Sequence, residues 1–406
     1  MLQPVLLDDV ARELAGADLD PAITGRLLGI AARLDRIFRI RPPGAPGACF
    51  FGAEGGPSGP LWHARPRRRI GLSGMGLSPA EALIKCLGEA AELLSQFETG
   101  SEAAECRTEA VVATGDVLKG DRTGLTMVGR RLHDDAPCRI PLGLCIRPAE
   151  PCAYGEPAFP LGLGGGAGPT AEAAILHGLL ELIERDAMAL WWRGGGPARP
   201  IGAGDQAMPA VTRLLDAARR NAPARQVTLI DITGEFGVPV VAALSTGPDG
   251  RGFACGLAAR PTPDRAVHAA LLEMLQMELA QDLAEAKRGQ GGEGCLNPLD
   301  RAHLAKRAGP PAMALGPVRR AMAAASPDEA RPMADRPVAV TVRTLAARLA
   351  ACGIDAFAVD LTRKDLDIAA FRVVAPGLQP EPSGLVTPRL RACCEAAGVP
   401  PGPSLL

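Results

Sequence analysis

The stretch Thr170-Ala-Glu-Ala-Ala-Ile-Leu-His-Gly-Leu-Leu-Glu-Leu-Ile-Glu-Arg-Asp-Ala-Met-Ala-Leu-Trp-Trp192 decides the architecture. Thr170 is a good N-cap, since its hydroxyl can accept from a first-turn amide. Apolar residues then cover most of the helical circumference, so the pattern predicts a long, largely buried helix over 171–193. Within it Glu181 and Glu184 stand three apart, hence on one face, and Arg185 follows. Two carboxylates and a guanidinium inside such a helix cost too much to be incidental. Arg185 supplies one compensating charge, and a metal ion can supply the rest. His177 falls on the same stripe, where a single histidine is more often a packed or hydrogen-bonded residue than a ligand.

The same design occurs twice more. Ser78-Pro-Ala-Glu opens an earlier helix, and Thr262-Pro-Asp opens a later one, each with Pro at the first helical position. The starts at 78, 170 and 262 are equally spaced. Glu89 and Glu92, Glu181 and Glu184, and Glu273 and Gln276 occupy matching positions 11 and 14 residues past each start. Ala82, Ala174 and Ala266 also match, as do Leu87, Leu179 and Leu271. Amphipathic helices share some of this by chance, but the matched third-turn acids favour a repeat. Glu81, Lys85 and Gln96 extend a polar stripe around Glu89 and Glu92, so a solvated face is the plain alternative there. Placed side by side, two Glu-x-x-Glu faces would put four carboxylates around one cleft. Like charges so close repel. Hard oxygen ligands suit Mg²⁺, which commonly takes one or two carboxylates together with waters and phosphates.

The rest of the chain bounds the answer. Its 406 residues are 47% hydrophobic and 22% charged, enough for two to four domain-sized units and too apolar for disorder. The net charge of −1 offers no field for nucleic acid, and nine Phe, three Trp and one Tyr are too few for a base-stacking platform. No signal peptide and no membrane-spanning run is visible. Eleven Cys without a Cys-x-x-Cys pair read as reduced thiols of a cytoplasmic protein.

Residues 6–38 read as helical. The Pro/Gly-rich stretches from Arg41 and from Gly55 then separate a helical N-terminal segment, 1–65, from a main domain, 66–380, and a Pro-rich tail, 381–406. Strand-like runs at 139–147, 227–232, 238–244, 253–257, 355–359 and 371–375 alternate with helical patterns. The helices are expected at 79–98, 171–193, 208–220, 263–288, 341–351 and 387–397. The fold class is α/β, with mixed sheets and long helices. Gly162-Leu-Gly-Gly-Gly-Ala-Gly-Pro, ahead of the buried helix, can bring backbone amides close to an anion or simply turn the chain. It lacks the Lys of a Walker-type phosphate loop.

These residues resemble a known family. Pro169 to Ala187 is similar to the signature helix of YcaO-domain proteins. Ser73-Gly-Met-Gly-Leu-Ser-Pro-Ala-Glu-Ala-Leu resembles their earlier Gly-rich entry into a Glu-x-x-Glu helix. Asp360-Leu-Thr followed by Val373-Val-Ala-Pro-Gly-Leu resembles their C-terminal strand segment. The resemblance covers about residues 66–380. It implies a YcaO-type ATP-binding fold, with ATP and Mg²⁺ as cofactors. Glu89, Glu92, Glu181 and Glu184 would be the metal-bridging residues, with Arg185 near the phosphates and Glu273 and Gln276 completing the nucleotide pocket. The implied reaction is O-phosphorylation of a peptide backbone amide, followed by attack of a side chain to give an azoline or of sulfide to give a thioamide.

Departures shape the expectation. Met75 stands where many relatives have Lys, Leu93 where Arg is common after the second Glu, and Leu163 where a polar residue is common. They keep open a non-catalytic accessory protein that presents a substrate to a partner enzyme. The ending Val399-Pro-Pro-Gly-Pro-Ser-Leu-Leu is not the Pro-x-Pro-x-Pro of many azoline-forming members. Together with Gly88-Glu-Ala-Ala-Glu-Leu-Leu-Ser-Gln, it resembles the branch that works beside TfuA-type proteins. The expected partners are a ribosomally made peptide or protein and a TfuA-type protein, with neither nucleic acid nor membrane; a homodimer stays open.

Overall fold

The computed structural model describes residues 3–57, 69–100, 111–112, 115–121, 123–202, 208–220, 222–324 and 341–405. The expected segment boundary near residue 65 lies outside the described residues.

Three sheets carry the fold, and each ends on the strand that feeds one acidic helix. Gln3–Val5, Arg36–Ile40, Cys49–Gly55 and Ile70–Gly76 form the first, in that order. Its last strand leads into helix Pro79–Ser95. The second runs Pro137–Pro141, Thr126–Arg131, Phe357–Asp360, Ala369–Val374, Gly165–Gly168, and its last strand leads into helix Ala171–Trp192. The third runs Arg199–Pro200, Gln226–Asp231, Val240–Thr246, Ala254–Ala259, and leads into helix Pro263–Gly291.

Glycine permits each strand to lie directly on its helix. A Cβ at Gly74 would sit 2.1 Å from the Ala82 carbonyl, and one at Gly166 would sit 2.2 Å from the Ala174 carbonyl. At Gly256 the same atom would meet the Ala270 carbonyl at 2.2 Å. The first two contacts pair equivalent positions; the third sits one helical turn further along. The repeat read from the helix starts is therefore a repeat of whole strand–helix units.

Several expectations change. The sheets expected to be mixed are antiparallel in every named strand pair, with parallel pairing at the isolated bridges Phe97–Arg147 and Val111–Arg139. A parallel neighbour needs a crossover returning to the same sheet, and the long helices here lead the chain into other sheets. The N-terminal segment is helical at Leu7–Ala15 and Pro21–Ala31, but its other elements are strands of the first sheet. The run at 139–147 is strand only to Pro141 and then turns into the short helix Leu142–Leu144. In the tail, helix Pro388–Ala397 forms as read and Glu381 is buried, as are Leu378 and Gln379 just before it.

That tail is clamped to the far end of the central acidic helix. Asp186, one turn beyond Leu182, is not left bare: its carboxylate accepts from the Gln379 amide at 2.9 Å and from Arg389 at 2.8 Å. Arg193 pairs with fully buried Glu381 at 2.7 Å and reaches the Gly402 carbonyl at 3.1 Å. Asp186→Ala leaves the Gln379 amide without its acceptor and leaves Arg389 with Glu235 as its remaining carboxylate. It should therefore lower stability by about 1–3 kcal/mol in urea titrations. No measurable loss would mean that the tail is held without the Asp186 contacts.

Candidate functional site

The three acidic helices present matching positions to one centre. The first acid of each accepts a backbone amide from its own strand or, for Glu181, from the residue just before that strand. Ser73 N donates to Glu89 at 2.6 Å, Gly164 N to Glu181 at 2.9 Å and Leu257 N to Glu273 at 3.2 Å. The second position of each reaches the next unit. Glu184 accepts from Ala259 N at 2.9 Å, and Gln276 Nε2 donates to Ser73 Oγ at 2.9 Å. Glu92 lies against Gly165, where a Cβ would come within 2.3 Å of its Oε1. Each unit thus hands one side chain to its neighbour around a closed ring of three. Ser78 and Thr170 cap their helices through their hydroxyls, which fixes the register of the acids behind them.

Negative charge exceeds what the local cations neutralise. Arg185 lies 3.7 Å from Glu181 and 3.6 Å from Glu184. Crowding by the surrounding protein raises the carboxyl of Glu89 to about 7, although the residue is exposed, and repulsion from Glu181 adds to the effect. Burial, then Glu181 and Glu89, push Glu92 up to about 8. Burial also raises Glu181, and burial with Glu184 raises Glu273 to about 7. These are carboxylates that favour a proton or another cation over standing alone.

The site residues read from sequence do converge: Glu89, Glu92, Glu181, Glu184, Arg185, Glu273 and Gln276 all belong to this ring. His177 lies exposed toward the start of its helix. Sequence reading missed Arg372 and Arg147. Arg372 is fully buried and donates to the carbonyls of Leu144, Leu161 and Leu163, and its charge acts on Glu92 and Glu181. It holds the glycine-rich segment whose Gly164 amide meets Glu181. Arg147 donates to Gln96 Oε1 at 3.0 Å, and Gln96 in turn bonds Glu92 at 3.3 Å. A signal existed: an Arg within the apolar run Ala370-Phe-Arg-Val-Val374 cannot be buried without partners.

The donor set fits Mg²⁺. It is all oxygen, it is under-neutralised, and solvent reaches it. Among the described residues no group of three or more His, Cys, Asp or Glu side chains closes on one point. Mg²⁺ itself commonly takes one or two carboxylates together with waters and phosphates.

Residues 73–379 match the model of the YcaO family, described as an ATP- and Mg²⁺-binding cyclodehydratase. The chain belongs to the YcaO family. A YcaO from Methanopyrus kandleri, solved with AMPPCP and Mg²⁺, superposes with a TM-score of 0.62 at 20% identity, covering 92% of this chain and 91% of that one. A heterocyclase solved in complex with substrate and cofactor gives 0.65 at 21%, covering 94% of this chain and 54% of that one. These YcaO likenesses establish the shared fold. In sequence, an uncharacterized protein of Methanothermobacter thermautotrophicus is 29% identical over 221 residues, covering 52% of this chain and 54% of its own length. An uncharacterized protein in a tfuA 3′ region of Rhizobium leguminosarum bv. trifolii is 28% identical over 233 residues, covering 53% and 52%. The chain spans about half the length of these curated relatives.

The three departures read from sequence, Met75, Leu93 and Leu163, are all buried in the core. The Lys85 ammonium donates to the Met75 carbonyl at 3.0 Å while pairing with Glu81. No helix among the described residues is long and apolar enough to cross a membrane.

Proposed function

We propose that this protein is an ATP- and Mg²⁺-dependent enzyme that activates a backbone amide of a ribosomally made peptide or protein for thioamide or azoline formation. The observation that carries this reading is the ring of under-neutralised carboxylates on three adjoining helices, open to solvent and flanked by arginines. ATP and Mg²⁺, when bound, supply the transferable phosphoryl group and the charge that offsets it. Glu89, Glu92, Glu181 and Glu184 would hold the cation. Arg185 stands where anionic oxygens would approach, buried Arg372 holds the glycine-rich segment beneath them, and Gln276 steadies Ser73 in the middle of its strand. Phosphoryl transfer asks for this kind of positioning and charge neutralisation more than for a protein nucleophile. The tfuA surroundings of one relative support the thioamide branch and a TfuA-type partner.

Titration calorimetry with ATP and Mg²⁺ tests the first step. Wild type should bind, and Glu181→Gln should bind at least about 100-fold more weakly, because even outer-shell losses at metal sites reach that size. Absence of binding by wild type would overturn the proposal. ATP turnover that depends on a candidate peptide would separate an enzyme from a presenting accessory protein.

A further inference from the structure

A second cavity, of about 520 Å³, opens between the starts of helices Pro79–Ser95 and Pro263–Gly291 and the helix Met208–Arg219. Its volume is in the range of ligand sites. The floor is apolar, made by Val211, Leu214, Val267 and Leu271. The rim is cationic in balance. Glu81 is already engaged, by Lys85 at 2.8 Å and by His268 at 3.3 Å. That leaves Arg260 and Arg265 facing a single acid, Asp264. Arg265 is exposed and, among the described residues, makes no ion pair or hydrogen bond.

Backbone polarity points the same way. Asp264 and Arg265 lie in the first turn of their helix, whose amides favour an anion. Ser78 and Thr170 spend their hydroxyls on the equivalent turns, but the Thr262 side chain accepts no such bond. The cavity also adjoins the carboxylate ring. Arg260 donates to the Ala259 carbonyl at 2.7 Å, the amide of Ala259 holds Glu184, and the Arg260 charge acts on Glu273.

We infer that this cavity is a binding groove for an acidic, apolar-flanked stretch of the polypeptide substrate, next to the amide being modified. The inference rests on the polypeptide substrate named in the proposed function. Carboxylates of the substrate meet Arg260 and Arg265, and its apolar side chains rest on Ala210 and the accessible edge of Leu214. A compact inorganic anion would leave that floor uncovered.

The test is fluorescence anisotropy at low salt with the full chain. The probes are a labelled decapeptide of alternating Glu and Leu, and the same peptide with Lys for Glu. Arg265→Glu and Ala210→Glu both alter exposed positions on the groove, so the fold is kept, and an acid near the start of its helix suits Ala210→Glu further. The Glu/Leu peptide should bind wild type, and each variant should bind about tenfold more weakly, since like charges placed together are costly. Glu181→Gln should bind the peptide as wild type does while losing Mg·ATP. Equal binding of the Lys peptide, no binding of the Glu/Leu peptide, or an unchanged curve in either variant overturns the groove. Retained nucleotide binding by Glu181→Gln would instead count against the metal assignment, leaving the peptide result to stand or fall separately.

Discussion

Glu184→Gln should abolish turnover while leaving the protein folded. Losing one metal-holding carboxylate removes about 4 kcal/mol of transition-state stabilisation, close to 10³-fold in kcat/KM. The fold survives because glutamine keeps an oxygen for the Ala259 amide, which Glu184 accepts at 2.9 Å, and Arg185 keeps Glu181 at 3.7 Å. Apo melting should stay level or rise, since one of several crowded charges is gone. Saturating Mg·ATP, worth about 2.7 kcal/mol at a hundredfold excess over Kd, should no longer stabilise the variant. Glu184→Ala is the contrast: it orphans the buried Ala259 amide and costs about 1–3 kcal/mol even without nucleotide. If Glu184→Gln melted well below wild type yet still gained from Mg·ATP, its role would be structural pairing with Arg185.

The apo protein should lose stability as pH rises from about 5 to about 8. The sign follows from Glu92, whose carboxyl is pushed up from 4.5 to about 8 in the folded state. Between those values the folded chain holds a proton that the unfolded chain has released. Stability contributed by that proton is present below the unfolded value and is lost as pH climbs through the folded one. The slope for this one group approaches about 1.4 kcal/mol per pH unit at most. Glu89 and Glu273, both raised to about 7, act in the same direction. Urea titrations across this range should show the decline, Glu92→Gln should make it shallower, and saturating Mg·ATP should flatten it. A wild-type apo protein that gains stability from pH 5 to 8 would contradict the crowding of these acids.

Much of this was legible before any tertiary information. Helical periodicity placed the three acidic helices, and the Ser78 and Thr170 caps set the registers of two of them, because N-capping and face assignment are local properties. Strands were harder. Ile70–Gly76 and Gly165–Gly168 are glycine-rich, and in a chain read alone such runs look like turns. They become strands because helix backbones press directly on them, which no local propensity encodes. The shape of the site shows the same division. That Glu181 and Glu184 share a face follows from their spacing. That Glu89, Glu92 and Glu273 share a centre with them does not.

The sequence by itself determined the residues that bear charge, the helices that display them and the family to which the chain belongs. Tertiary structure alone decided that Glu184 would be held by the Ala259 amide, that Gln276 would reach back to Ser73, and that Arg372 would enter the core beside Glu92 and Glu181. It also opened the groove between Arg260, Arg265 and Leu214. The physical reason is range. Periodicity and capping act within a few residues, whereas these contacts join units scores of residues apart, and their energies exist only once three sheets have packed and excluded water around them.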